Sequence, residues 1–223
     1  MSADPTSRRL GWEPAPQQGW VATHIGSEFP GLGIAWIEVD AKPRKSPEPV
    51  RRRLRDLSDR TYGSQAIRLR ERPIPWAYRV FYRQIGLDPD RTRTPIEQLT
   101  LDRLHDGGFR SNGLPKDALD IAIVETGVAL RAFDAERLDG RLCIRDSAPG
   151  ESLAGMPGEL ATGTLVIADE SRPLGLLFGA TAEGAAFERS SRRVAVAAIQ
   201  VQGVPQIAVE EALWMAGSTL EAA

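Results

Sequence analysis

The chain has 223 residues, 42 % hydrophobic and 26 % charged, enough to bury a substantial core and ordinary for a globular protein. No run of about 18 apolar residues is present, so no transmembrane helix is expected, and the lack of an apolar stretch after Arg8 and Arg9 argues against a secretory leader. The net charge of −2 is unevenly spread: residues 1–93 hold 17 Lys/Arg against 11 Asp/Glu, and the remainder holds 11 against 19.

Residues 1–18 are polar and proline-rich and predict a flexible arm, with Trp12 available to dock on the body. Two extended segments follow, Trp20 to Ile25 and Gly33 to Val39, joined by the Phe29-Pro30-Gly31 turn as a hairpin. In that reading His24 is a half-buried structural residue on a strand. The Pro- and Lys-rich stretch from Lys42 to Pro49 is a linker. Ser46-Pro47 then caps a helix running to about Arg60. Arg51, Arg52, Arg53 and Arg55 on this helix, with Arg91 and Arg93 beyond it, form the core of the basic stretch. Arginine forks suit phosphate, so a polyanion contact competes here with a plain solvated face.

Trp76, Tyr78, Val80 and Phe81 recur at helical spacing and predict a core-facing helix from Pro75 to Ile85, stopped by Gly86. Thr94-Pro95-Ile96-Glu97 has threonine at the N-cap, proline at the first helical position and glutamate for a capping box; the helix breaks at Gly107-Gly108. Pro115 opens another helix, with Leu119, Ala122 and Ile123 inward, which ends at Gly127. Strands then dominate: Arg141 to Arg145, Thr164 to Ala168, Leu174 to Phe178 and Val194 to Val201. A last helix spans Ile207 to Leu220. Strands, helices, strands and a helix without βα alternation predict an α+β fold, mixed or antiparallel sheets packed with several helices. Residues 19–223 read as a single domain, with a small N-terminal lobe over 19–45 as the one candidate division.

Two histidines and one cysteine are too few for a zinc site, and no phosphate-binding glycine loop, dinucleotide fingerprint or nucleophile elbow is present. No cofactor, metal or membrane is called for. The lone Cys143 excludes an internal disulfide and points to a reducing, cytoplasmic setting; its alternation with Leu142 and Ile144 makes it an inert packed thiol.

Four segments carry a family resemblance. Gly127-Val-Ala-Leu-Arg-Ala-Phe-Asp134, Gly140-Arg-Leu-Cys-Ile-Arg145 and Leu165-Val-Ile-Ala-Asp169 follow one another, after a polar helix entry from Arg110. Arg91-x-Arg93-x-x-x-Glu97-x-Leu99 adds a pattern of stand-alone relatives. The series resembles the tRNA-editing B3/B4 domain of the phenylalanyl-tRNA synthetase beta subunit, over about Val21 to Gln202. That resemblance implies aminoacylated tRNA as partner and a pocket, between the helix 115–127 and the strands after it, where a mischarged ester meets a positioned water. It puts Asp117, Asp120, Arg131, Asp134 and Gly179 in the pocket and makes the six arginines above RNA contacts.

The departures fall on single residues. The family histidine is Arg131, a fixed cation that cannot act as a base. Two family asparagines become Gly113 and Asp120, and a family glutamate falls near Ala197. Arg131 then either holds a carboxylate or phosphate or pairs with Asp134 or Glu136. Asp117 and Asp120 either line the pocket or stabilise a helix N-terminus. The implied functions are trans-editing of mischarged tRNA, RNA binding without catalysis, or capture of an amino acid or its adenylate.

Overall fold

The computed structural model describes residues 15–61, 63 and 68–222. Trp12 and most of the predicted arm lie outside the described residues. Its four-residue end does not: Gln17–Gln18 forms a short edge strand, β1.

Among the described residues, two four-stranded sheets and six α-helices make an α+β architecture. The first sheet has the order β1, β3 (Gly33–Asp40), β8 (Arg193–Gln200), β4 (Ala129–Asp134), antiparallel throughout. β8 is its centre. From Val194 to Ile199 every residue of that strand is fully buried, which a run of valine, alanine and isoleucine without alternation requires. β3 pairs along its whole length, from Gly33 opposite Gln200 to Asp40 opposite Arg193, so the 33–40 stretch is built into the main sheet. The second sheet runs β2 (Trp20–Val21), β5 (Cys143–Asp146), β6 (Leu165–Ala168), β7 (Pro173–Leu176); only the β2–β5 pair is parallel. Cys143 is fully buried in it, and burial pushes the thiol up to about 11.

The helices are α1 (Thr23–Glu28), α2 (Glu48–Arg60), α3 (Pro73–Gln84), α4 (Pro95–Asp106), α5 (Lys116–Thr126) and α6 (Gln206–Glu221). α5 and α6 pack on each other, and α6 covers β3 and β8. The capping box at Thr94 forms as its residue types demand: the Glu97 carboxylate accepts from the Thr94 backbone N–H at 3.2 Å. Gly107 and Gly127 end α4 and α5 in the left-handed region, at φ 76° and 80°.

α3 ties the sheets together. Its Tyr78, Phe81 and Tyr82 surround Phe178, which projects from the turn after β7, with ring centroids 4.6 to 6.1 Å apart. The buried Tyr78 hydroxyl donates to the carbonyl of Ile199 and accepts from the N–H of Ala129 at 3.0 Å, bridging β8 and β4 where their ladder ends.

Three expectations are corrected. Trp20 to Ile25 is not a strand of a hairpin: β2 is two residues long and pairs with β5, and α1 begins at Thr23. Six residues containing one large apolar side chain, Ile25, carry no helical period to read. His24 is consequently exposed, with Nε2 3.0 Å from Asp146 Oδ1 on β5. Trp76 and Val80 face outward on α3, at 51 % and 37 % exposure, because Ala77, Tyr78, Phe81 and Tyr82 occupy the inner face.

Candidate functional site

The β4–β8 ladder sets the geometry. Arg131 on β4 lies directly opposite Ala197 on β8, so the two side chains share one face of the sheet. These are the positions where the resemblance expects a histidine and near which it expects a glutamate. Ala197 brings only a fully buried methyl group to this face, and the cation's long side chain crosses to the second sheet.

Its guanidinium is held there by neutral acceptors. Nη1 donates to the carbonyls of Leu176 at 3.0 Å and Leu177 at 3.4 Å, and Nη2 donates to the Thr181 hydroxyl at 2.8 Å. Gly175 leaves the room: a Cβ on it would stand 3.0 Å from Nη2. The Phe133 ring lies alongside, 5.9 Å from the guanidinium carbon. Burial pulls the Arg131 pKa below its ordinary value, and the opposing influence is the Tyr82 phenol, not a carboxylate. Arg131 pairs with neither Asp134 nor Glu136. The turn carrying Gly179 closes beside it, with Leu176 N–H bonded to Ala180 O at 2.9 Å, and a Cβ on Gly179 would meet the Leu176 side chain at 3.0 Å.

The acids stand apart from this cation. Asp134, at the far end of β4, accepts from Ser191 Oγ at 2.7 Å and from Glu136 N–H at 3.1 Å, and has Arg137 Nε at 3.4 Å. Asp117, fully buried in the first turn of α5, accepts from Ser46 Oγ at 2.7 Å, from Ser111 Oγ and from Asn112 N–H at 2.7 Å. Asp120, one turn on, is clamped by Lys116 Nζ at 2.6 and 2.9 Å. Burial raises its carboxyl pKa, and Lys116 opposes the rise. The structure therefore brings Arg131 and the Gly179 turn together, while Asp117 and Asp120 serve the helix entry and its loop.

The basic helix is largely self-neutralised. Arg51 and Arg55 both bind Glu48, Arg53 lies 3.9 Å from Glu125, and Arg52 is exposed. Arg91 stands 3.7 Å from Asp88, and Arg93 3.5 Å from Asp90. Asp90 and Glu97 also receive the buried Arg79, at 2.8 and 2.7 Å, and Arg70 joins them at 3.4 and 3.5 Å. Glu97 of the recognised Arg91-to-Leu99 pattern is thus both a cap and the anchor of a buried ion-pair network.

Cavities open on the surface at two places distant from Arg131. One, of about 470 Å³, has Leu69, Leu101 and Leu104 with Arg70, Arg93 and Glu97 in its wall. The other, of about 250 Å³, lies between Asp40–Arg44, Leu114, Arg192 and Leu220. Neither reaches Arg131. Among the described residues no group of histidine, cysteine or acid could hold a metal ion, and no helix is long and apolar enough to cross a membrane.

Sequence reasoning missed Gly175 and Thr181 as the receivers of Arg131 and Ser46 as the partner of Asp117. Ser46 is 71 positions from Asp117, and no local signal connects them. For Gly175, a glycine interrupting the apolar strand Pro173–Leu176 was the available sign of a close approach.

Comparison with known proteins converges on one family. The model of the B3/4 domain matches residues 77–204. The phenylalanine–tRNA ligase beta subunit of Methylococcus capsulatus is 39 % identical over 94 residues, covering 41 % of this chain and 12 % of that protein. The beta subunits of Streptomyces avermitilis and Nitrosococcus oceani are 36 % and 37 % identical over 94 residues, each covering 41 % of this chain and 11 % and 12 % of those subunits. The match thus spans about an eighth of the length of these relatives.

Proposed function

The chain belongs to the B3/4 domain family, and from that premise we propose that it is a tRNA-binding module that does not hydrolyse the aminoacyl ester. The observation that carries this reading is the guanidinium of Arg131. It fills the interval between β4 and the turn after β7, and it spends its donors on Leu176, Leu177 and Thr181. Ester hydrolysis needs an ordered water, a base for its proton and donors for the oxyanion. An arginine is no base. Asp117, Asp120 and Asp134 are each occupied by a serine, a backbone N–H or a lysine.

Retention of tRNA on a filter at low salt, lost as salt rises, is the expected result. Incubation with a panel of mischarged aminoacyl-tRNAs is expected to release amino acid no faster than buffer does. Turnover of any of them overturns the non-hydrolytic part; no retention at low salt overturns the RNA part.

A second reading rests on Arg131 having no carboxylate partner among the described residues. A half-buried cation satisfied by neutral acceptors suits a ligand carboxylate, which makes an amino acid or aminoacyl-adenylate the ligand. Such a ligand at 100 times its Kd adds roughly 2.7 kcal/mol to the folded state, a shift readily seen in thermal melting. Absence of any shift with free amino acids and adenylate analogues removes this alternative.

A further inference from the structure

We infer that the cavity between Asp40–Arg44 and Arg192 is a phosphate-binding site, and that its ligand is the backbone of an RNA strand. The inference rests on the RNA-binding reading and moves the contact away from the arginines of α2.

Lys42, Arg44 and Arg192 stand around this cavity of about 250 Å³, all exposed. Among the described residues none of the three side chains has a carboxylate within ion-pair distance. The neighbouring acids are already committed: Asp40 accepts from Arg193 Nε at 3.0 Å, Glu38 lies 3.5 Å from Arg193, and the Glu136 carboxylate accepts from the Arg192 backbone N–H. Four of the five α2 arginines have the opposite condition: Arg51, Arg53, Arg55 and Arg60 face Glu48 or Glu125, while Arg52 is exposed. A phosphate reaching any of those four has to displace an internal acid; one reaching Lys42, Arg44 and Arg192 does not.

The backbone that carries the three cations is anchored. Ala41 N–H bonds Arg192 O at 2.9 Å and so fixes the two sides of the cavity against each other. Leu114 N–H bonds Arg44 O at 2.9 Å, and Ser46 is held by the buried Asp117. Less chain entropy is lost when such points close on a ligand. The floor, Leu114 and Leu220, is buried and apolar, and the one acid in the wall, Asp40, is engaged by Arg193.

The test uses the full chain and unmodified tRNA, with affinity followed by fluorescence anisotropy over a salt series. Each lost phosphate contact reduces the slope of log K against log salt by about 0.7 to 0.9. Lys42→Ala/Arg44→Ala/Arg192→Ala is expected to flatten that slope by roughly two and to weaken binding at low salt about 100-fold or more. The charge-preserving set Lys42→Arg/Arg44→Lys/Arg192→Lys should keep the wild-type slope, which separates charge from folding. Arg51→Ala/Arg52→Ala/Arg55→Ala should change the slope by less than one. If wild type binds and the first set leaves its slope intact, this site is wrong and the RNA-binding reading stands. If wild type does not bind tRNA, both fall.

Discussion

Arg131 is a charge tolerated for its shape. Its hydrogen bonds go to neutral oxygens, while burial works against its charged form. Hydrogen bonds from a charged donor are worth about 1.5 to 3 kcal/mol, so Arg131→Ala should lose roughly 2 to 3 kcal/mol in urea unfolding. Arg131→Met fills much of the same space and needs no counter-ion, and it should lose less than half of that. Asp120 gives a pH signature. Burial raises its folded pKa above the ordinary 3.8, so its protonated form favours folding: the contribution is present below the unfolded pKa and lost as pH rises through the folded one. Asp120→Asn should therefore show a smaller fall in stability than wild type between acid and neutral pH. A larger fall would mean that the Lys116 attraction dominates at this site.

At the scale of elements, the cleanest local signals gave the cleanest elements. Thr94-Pro95-Ile96-Glu97 encodes its own helix start, and the structure forms both reciprocal bonds. Thr94→Ala should cost about 1 kcal/mol. Glu97→Gln should cost at least twice as much, because the same carboxylate balances the buried Arg79 at 2.7 Å; both are read from denaturant midpoints. What the sequence hid was partnership across distance. β2 was legible as extended, but its parallel pairing with β5 depends on residues more than a hundred positions away. Arg131 was legible as a substitution, yet its destination was not, since Gly175 and Thr181 become its neighbours only when the two sheets are brought face to face. Asp117 and Asp120 stood out as a pair one turn apart; that one binds serines and the other a lysine is decided by the loop at 42–46 and by Lys116.

For the whole molecule, the apolar cluster runs without a break through both sheets and through α2, α3, α5 and α6, and β3, from the segment that suggested a separate lobe, is a central partner in it. We propose that residues 15–222 form one cooperative unit. Calorimetry should then show one transition whose calorimetric and van't Hoff enthalpies agree; two resolved transitions would restore the separate lobe.

The single cysteine adds a kinetic reading of that unit. Cys143 sits with no exposed surface between β2 and β6, and with its pKa pushed up to about 11 it is almost wholly un-ionised at neutral pH. A thiol reagent can reach it only when the second sheet parts, so the labelling rate counts those partings. Followed through low urea, a rate that climbs with the global unfolding equilibrium means that the two sheets open together. A rate indifferent to urea means that the short strand Trp20–Val21 lifts off alone and exposes the sulfur while the rest of the fold stays closed.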